Sequence, residues 1–536
     1  MRETLVVISG PIGAGKSTLA QGLERRHGAL RFSSGQLLRH QLGGDGGRLE
    51  LQAAGEALDR ETGGRWVAES LMDVLKARAQ PPPLVVVDSI RIPLQLEALR
   101  QRLGSRMVHV HLTAPAEALE ARFGQRSSRT DEGVSFEQAR ANRTESAVHR
   151  LADTADLVID TWRTPPDAVL VLVASHLGLF GRGMEPLVDV LVGGQYGSEG
   201  KGHIASYLAR EYDFLLRVGG PNAGHCVYEE PEPYTFHLLP SGTRASPDSK
   251  VILGPGTVLS LKTLLRELSE CRMDEARLFI DPQSVLIEPE DIEWETRTLR
   301  SHIGSTAQGV GAATARKVLR TAAEPRVRLA KDVEELRRYL RPTHEILDDA
   351  FAQGQRVLLE GTQGTGLSLH HGHYPHVTSR DTTTSGCLAE AGIAPARVRK
   401  TLMVCRAYPI RVQNPEEGTS GPMVNELSWE EISRRSGLGV EELKSNECTS
   451  TTHRQRRVSE FDWVLLRKAA SLNAPTDVAL TFVDYLSAKN RDARRFDQLT
   501  GEALRLIEGI ERVTGAPVSL VSTRFHSRSI LDRRVW

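Results

Sequence analysis

Two lysine-bearing glycine loops carry most of the chemistry that this sequence offers. The first, G-P-I-G-A-G-K-S at 10–17, satisfies G-x-x-x-x-G-K-[ST] at every position. Gly10, Gly13 and Gly15 permit a tight path that aims backbone amides at phosphate oxygens. Lys16 then reaches the β/γ-phosphates and Ser17 a bound Mg²⁺, with Thr18 next in line. The second loop, Q-Y-G-S-E-G-K-G at 195–202, lets amides and Lys201 close on a phosphate in the same way. It departs from the first consensus at two places. Gln195 stands five residues before Gly200, where glycine is needed, and Gly202 follows Lys201, where Ser or Thr is needed.

Each loop needs a strand before it and a helix after it, and the patterning supplies both. T-L-V-V-I-S (4–9), L-V-V-V-D (84–88), M-V-H-V-H-L (107–112) and A-D-L-V-I-D (155–160) read as buried parallel strands. Helical patterns occupy 16–27, 94–103, 136–150 and 166–177, which predicts a three-layer α/β domain. G-L-F-G-R-G-M-E-P (178–186) has the composition of a linker, and V-D-V-L-V (188–192) opens a second α/β unit. Glycine- and proline-rich stretches at 219–224, 254–256 and 361–375 read as loops gathered around a site.

The bulk numbers bound the rest. At 536 residues the chain exceeds one ordinary core. Sixty-eight basic and 68 acidic residues cancel, so nothing drives bulk binding to nucleic acid or an anionic membrane. The five cysteines (226, 271, 387, 405, 448) are scattered without C-x-x-C spacing, which argues against a disulfide framework or a structural zinc site. Without a leader pattern or an apolar run of membrane-spanning length, the expected location is cytoplasmic.

Residues 1–177 resemble a P-loop nucleoside monophosphate kinase. Asp88, at the end of its strand, stands where such kinases hold Mg²⁺ through water. R-F-S-S-G-Q-L-L-R (31–39) is similar to their acceptor stretch, with Arg39 as phosphate clamp. R-F-G-Q-R-S-S-R-T-D (122–131) is similar to their lid, where Arg126 and Arg129 would neutralise transferring charge. A regulatory NTPase role fits the same residues.

Residues 187–536 resemble the adenylosuccinate synthetases, block after block in the family's order. G-G-P-N-A-G-H (219–225), H-L-L-P-S-G (237–242), L-G-P-G (253–256) and I-G-S-T (303–306) follow the second loop. E-G-T-Q-G-T (360–365), H-G-H-Y-P-H-V-T-S (371–379) and T-S-T-T-H-R-Q-R-R (449–457) complete the series. The resemblance implies an α/β ligase that phosphorylates O6 of a purine monophosphate from an NTP and then displaces phosphate with L-aspartate. It implies Lys201, His225, Gln363 and the position of Ser198 in catalysis. Gly197, Glu199, Gly200, Lys201, Gly202, Asp484 and Ser522 would bind the NTP, ATP or GTP. Asn222 and Gln363 would hold the purine, Thr306 and Thr378 its 5′-phosphate, and the Gly224 carbonyl would ligate Mg²⁺. Thr452, Arg454 and Arg456 would grip aspartate. Arg320 falls where the family sends an arginine into its partner's site, which implies a homodimer.

One departure bears on the substrate. In the family the position of Ser198 is usually an aspartate that takes the purine N1 proton, which a serine hydroxyl cannot do near neutral pH. A serine leaves room for, and accepts a hydrogen bond from, a 2-amino group. This resembles the phage branch that makes 2-aminodeoxyadenylosuccinate from dGMP. Phe482 and Arg524 stand where GTP-using members have Lys and Gly, which opens the donor site to ATP or dATP. Two rivals fit the same residues: an ordinary synthetase acting on IMP, and a silent synthetase fold that regulates the kinase.

Overall fold

The computed structural model describes residues 4–41, 47–78, 80, 82–103, 107–125, 135–141, 145, 147–180, 185–320, 326–448 and 454–536. Two compact units divide the chain, Met1–Phe180 and Gly181–Trp536.

In the first unit five parallel strands run in the order Leu30–Ser33, Leu84–Ile90, Thr4–Ser9, Met107–Thr113, Leu157–Asp160. The apolar runs are buried on both faces, as a parallel sheet covered by helices requires. One cluster gathers Val7, Val87 and Trp66, and another gathers Val6, Val86 and Leu23. Lys16–His27 is a helix as predicted, and Ser34–Gln41, Arg48–Thr62 and Trp66–Lys76 are helices as well. Of the helix predicted over 136–150, Phe136–Arg140 is helical and Val148–Thr154 is a 3₁₀ segment, while 142–144 and 146 lie outside the described residues.

The second unit is built on nine strands. Their order is Leu278–Ile280, Lys250–Leu253, Phe214–Arg217, Val357–Glu360, Val188–Gly193, Val398–Arg406, Asp477–Thr481, Val518–Ser522, Ile530–Asp532. All neighbours are parallel except the last pair. Parallel pairing puts the strand ends at Gly193, Arg217, Glu360, Arg406 and Thr481 along one edge. The glycine-rich loops therefore leave the sheet on the side where open α/β folds bind ligands. Among the described residues no helix is long and apolar enough to cross a membrane.

Candidate active site

The two lysine loops share one backbone device. Gly15 (φ 91°) and Gly200 (φ 83°) take the left-handed conformation immediately before the helices that open with Lys16 and Lys201. A side chain there would be strained, so glycine sets how each loop enters its helix. At the second loop the helix could not begin Lys-Ser or Lys-Thr. A Cβ on Gly202 would lie 2.8 Å from His225 Cβ. The departure from the first consensus is therefore a packing demand: the helix start must admit His225.

A cleft of about 720 Å³ opens over this loop. Gly197, Ser198, Asn222, Gly224 and His225 line it, together with Thr306, Gln363, Thr378 and Arg456. Residues from six separated sequence blocks thus face one space. Ser198 (φ 53°) and Gln363 (φ 56°) both hold left-handed backbone without being glycine, a strain that clusters at functional sites. The Asn222 carboxamide oxygen is buried and has no hydrogen-bond partner among the described residues.

Behind the cleft wall lies a buried polar chain. His225 Nδ1 donates to Glu360 Oε1 at 2.5 Å, and Ser241 donates to the same carboxylate from its amide (2.7 Å) and its hydroxyl (2.5 Å). Burial, then the Arg217 charge, pushes His225 down to about 4 against the pull of Glu360. Burial raises Glu360, but its bonds to His225 and Ser241 and the charge of Arg217 outweigh it, leaving the group at about 2. The pair is thus neutral imidazole and carboxylate at neutral pH. Arg217 also donates to the Ala223 carbonyl at 2.5 Å, which braces the N-A-G-H turn.

Lys201 and Glu199 lie beneath the loop, not on the cleft surface. Lys201 Nζ donates to Glu199 Oε2 at 2.5 Å, and Glu199 Oε1 accepts the Gly197 amide at 2.8 Å and the Gln195 amide at 3.1 Å. Glu199 is fully buried, so it shapes the loop from within. A second buried network runs from the loop to Arg456. Arg406 donates to the Ser198 carbonyl (3.2 Å) and to Glu447 (2.6 Å), and its guanidinium stacks 4.0 Å from the Phe482 ring centre. Glu447 also accepts from Arg456 at 3.1 Å and Tyr485 at 2.9 Å.

Asp484 is buried, with Oδ2 on Arg491 at 3.1 Å and Oδ1 unpartnered among the described residues; burial pushes it up to about 6 despite that arginine. The Ser522 hydroxyl bonds the Arg524 carbonyl at 3.1 Å. Arg320 ends the helix Val310–Leu319 outside the cleft lining. Arg454 does not line the cleft either. Thr452, Arg126 and Arg129 lie outside the described residues.

In the first unit a cleft of about 630 Å³ is lined by Lys16, Ser17, Thr18, Arg39 and Asp88. Ser17 Oγ lies 3.4 Å from Asp88 Oδ1, a hydroxyl–carboxylate pair of the kind that holds Mg²⁺ beside a nucleotide. Asp88 is shared with Arg31, whose guanidinium donates to it at 2.5 Å. Among the described residues no cluster of three His, Cys, Asp or Glu is placed to hold a metal unaided. In the second unit Gly224 and Ser198 both line the cleft, and a carbonyl and a hydroxyl are neutral donors that suit a metal arriving already bound to phosphate.

The adenylosuccinate synthetase family model matches residues 190–333 and 324–491, most of the second unit. The chain belongs to the adenylosuccinate synthetase family. The adenylosuccinate synthetase of Methanocaldococcus jannaschii is 36% identical over 353 residues, covering 64% of this chain and 96% of that relative. That of a Pyrococcus species (strain ST700) is 36% identical over 352 residues, covering 64% and 98%. Among solved structures, the cyanophage S-2L succinoaminodeoxyadenylate synthetase (PurZ), bound to dGMP and dATP as an energy donor, has a TM-score of 0.55 and 27% identity. It covers 66% of this chain and 96% of its own. The fully ligated adenylosuccinate synthetase from Plasmodium falciparum shares the fold, with a TM-score of 0.56 over 65% of this chain and all of its own at 22% identity. Residues 5–151 match the model of an AAA domain, so a P-loop kinase-like unit is fused to a C–N bond-forming ligase of purine nucleotide biosynthesis.

Sequence reading of the synthetase unit did not single out Glu360, Ser241, Arg217, Arg406 or Glu447. Glu360 and Ser241 stand inside blocks already marked, E-G-T-Q-G-T and H-L-L-P-S-G. A charged residue closing the apolar strand V-L-L-E is the signal that could have found Glu360. Glu447 stands nine residues before Arg456 and just outside the basic block, so no local pattern pairs them.

Proposed function

We propose that the synthetase unit joins L-aspartate to C6 of (d)GMP, giving 2-amino-(deoxy)adenylosuccinate, with ATP or dATP as donor. The kinase-like unit phosphorylates a nucleoside monophosphate. The observation that carries the ligase reading is Ser198, a short hydroxyl on the acceptor cleft beside Asn222 and Gln363, where a catalytic carboxylate is the family's usual occupant. The cyanophage protein's dGMP and dATP support the same choice of acceptor and donor.

The chemistry proceeds in two balanced displacements. The γ-phosphoryl group moves from the NTP to purine O6, and NDP leaves. The aspartate amine then attacks C6, the C6–O bond breaks, and phosphate departs with the former O6. Loop amides stabilise the migrating charge, and Lys201, held on Glu199 beneath them, adds its positive charge from within the loop. The Gly224 carbonyl would hold a Mg²⁺ bound to the NTP, which would supply neutralisation of the phosphate charge.

His225 Nδ1 is fixed on Glu360, so Nε2 is the nitrogen that faces the phosphoryl group. An incoming phosphoryl dianion offsets the burial that depresses this histidine and draws a proton to Nε2, which then donates to the leaving oxygen. Ser198 accepts from the 2-amino group, and the N1 proton is left to water or to the phosphoryl oxygens. Arg456, held on one side by Glu447, presents its remaining donors to the aspartate carboxylates. Arg320 reaches the neighbouring active site in a homodimer.

The test is phosphate release by the full chain carrying Lys16→Ala, with ATP, Mg²⁺ and L-aspartate. Release that requires both dGMP and aspartate is the expected result. No release with dGMP, GMP or IMP would leave a silent fold that regulates the kinase.

A further inference from the structure

Gln52 stands apart from the other buried polar groups around the kinase-like cleft. It is 8% exposed, and neither carboxamide atom has a hydrogen-bond partner among the described residues. Its neighbours are satisfied. Asp59 accepts from Trp66 Nε1 at 2.7 Å and from Gln95 Nε2 at 2.8 Å, while Gln95 Oε1 accepts the Arg91 amide at 3.1 Å. A buried amide with both ends unpaired forfeits its hydrogen bonds to water and destabilises the fold that contains it. Such a group calls for a partner that the described residues do not supply.

The position of Gln52 says what that partner is. It projects from the helix Arg48–Thr62 into the cleft that also holds Lys16, Ser17 and the exposed Arg39. The cleft therefore has phosphate-binding groups and, in the same space, a carboxamide that presents one donor and one acceptor side by side. That pair matches in bidentate fashion the exocyclic N–H and adjacent ring nitrogen of a 6-aminopurine, the pairing that Gln makes with adenine.

We infer that this cleft takes a 6-aminopurine nucleoside monophosphate, its base edge read by Gln52 and its phosphate held by Arg39. The inference rests on the kinase reading of the first unit. In the reaction an oxygen of the acceptor phosphate bonds to the γ-phosphorus of the NTP, the bond to the β-phosphate oxygen breaks, and NDP leaves. Eliminating fumarate from the ligase product also leaves a 6-aminopurine monophosphate. The base edge that suits Gln52 is one to which the second unit's chemistry leads.

The test is NDP formation by the full chain with ATP and Mg²⁺ but no aspartate, offering dAMP, dGMP, dCMP and dTMP. We expect dAMP to be the best acceptor. Gln52→Leu should raise its KM by about 10- to 100-fold, the discrimination that a bidentate base contact supplies. The KM for ATP should stay unchanged and the melting temperature should hold or rise, because two unpaired polar atoms are gone. Gln52→Glu, which keeps acceptors but loses the donor, should impair dAMP likewise. An unchanged KM in both variants, a melting temperature lowered by Gln52→Leu, or a preference for dGMP or a pyrimidine would overturn the role of Gln52 and leave the kinase reading standing. If the unaltered chain phosphorylates none of the four, the kinase reading fails and the inference with it.

Discussion

Ser198 concentrates the substrate question in one side chain. Its backbone is held in the left-handed region and its carbonyl is tied to Arg406, so the loop presents position 198 to the cleft whatever residue stands there. Ser198→Asp should therefore place a carboxylate in the same space without redirecting the loop. It would restore a proton acceptor for N1 and crowd a 2-amino group. The expected outcome in steady-state assays is a fall in kcat/KM for dGMP of about tenfold or more, the scale of a lost fit at one substituent, with a gain for IMP. Equal losses on both acceptors would mean that position 198 does not read C2.

His225 and His203 give the elements around the loop a pH signature. Burial, then the Arg217 charge, holds His225 at about 4, and burial, then the nearby His526, holds His203 at about 4, against the usual 6.5. The unfolded chain takes up protons between these values that the folded chain refuses. The stabilisation is thus complete above pH 6.5 and is lost as the pH falls toward 4, on the order of 1–2 kcal/mol for each histidine by pH 5. Melting temperatures should drop between pH 7 and 5, and His203→Gln should flatten that drop. The Glu447 network is a second property of the elements, because one carboxylate receives Arg406 from a strand end, Arg456 from just before the strand Arg457–Ser459 and Tyr485 from the 3₁₀ segment Val483–Tyr485. Glu447→Gln leaves two guanidiniums without their counter-charge. It should lower stability by about 3–5 kcal/mol if the pair behaves as a broken buried ion pair, and it should raise the KM for aspartate. An unchanged melting curve would contradict this.

These elements also show what the sequence could and could not reveal. The strand–glycine loop–helix units were legible because local pattern dictates them: apolar runs, positive-φ glycines, then lysine. The convergence of Ser198, Asn222, Thr306, Gln363, Thr378 and Arg456 on one cleft was anticipated from the order of family blocks. Glu199 was read as an NTP contact but is buried beneath its own loop, because a carboxylate two residues before a lysine can as well turn inward and brace amides. The Arg406–Glu447 pair was illegible because its members are distant in sequence and ordinary in type.

At the scale of the molecule, each unit has its own phosphate loop and its own cleft, and the described residues of each cleft belong to that unit alone. Lys16→Ala should abolish NDP formation in the absence of aspartate and leave aspartate-dependent phosphate release within about twofold, since independent sites act additively. A large loss of ligase turnover would show that the units are coupled. The central claim is the acceptor, and one competition tests it most directly. Equimolar dGMP and IMP are supplied with L-aspartate, ATP and Mg²⁺, and the succinylated products are weighed by mass spectrometry. The 2-amino product should dominate. Dominance of the product from IMP would contradict it and would return the chain to ordinary adenylosuccinate synthesis.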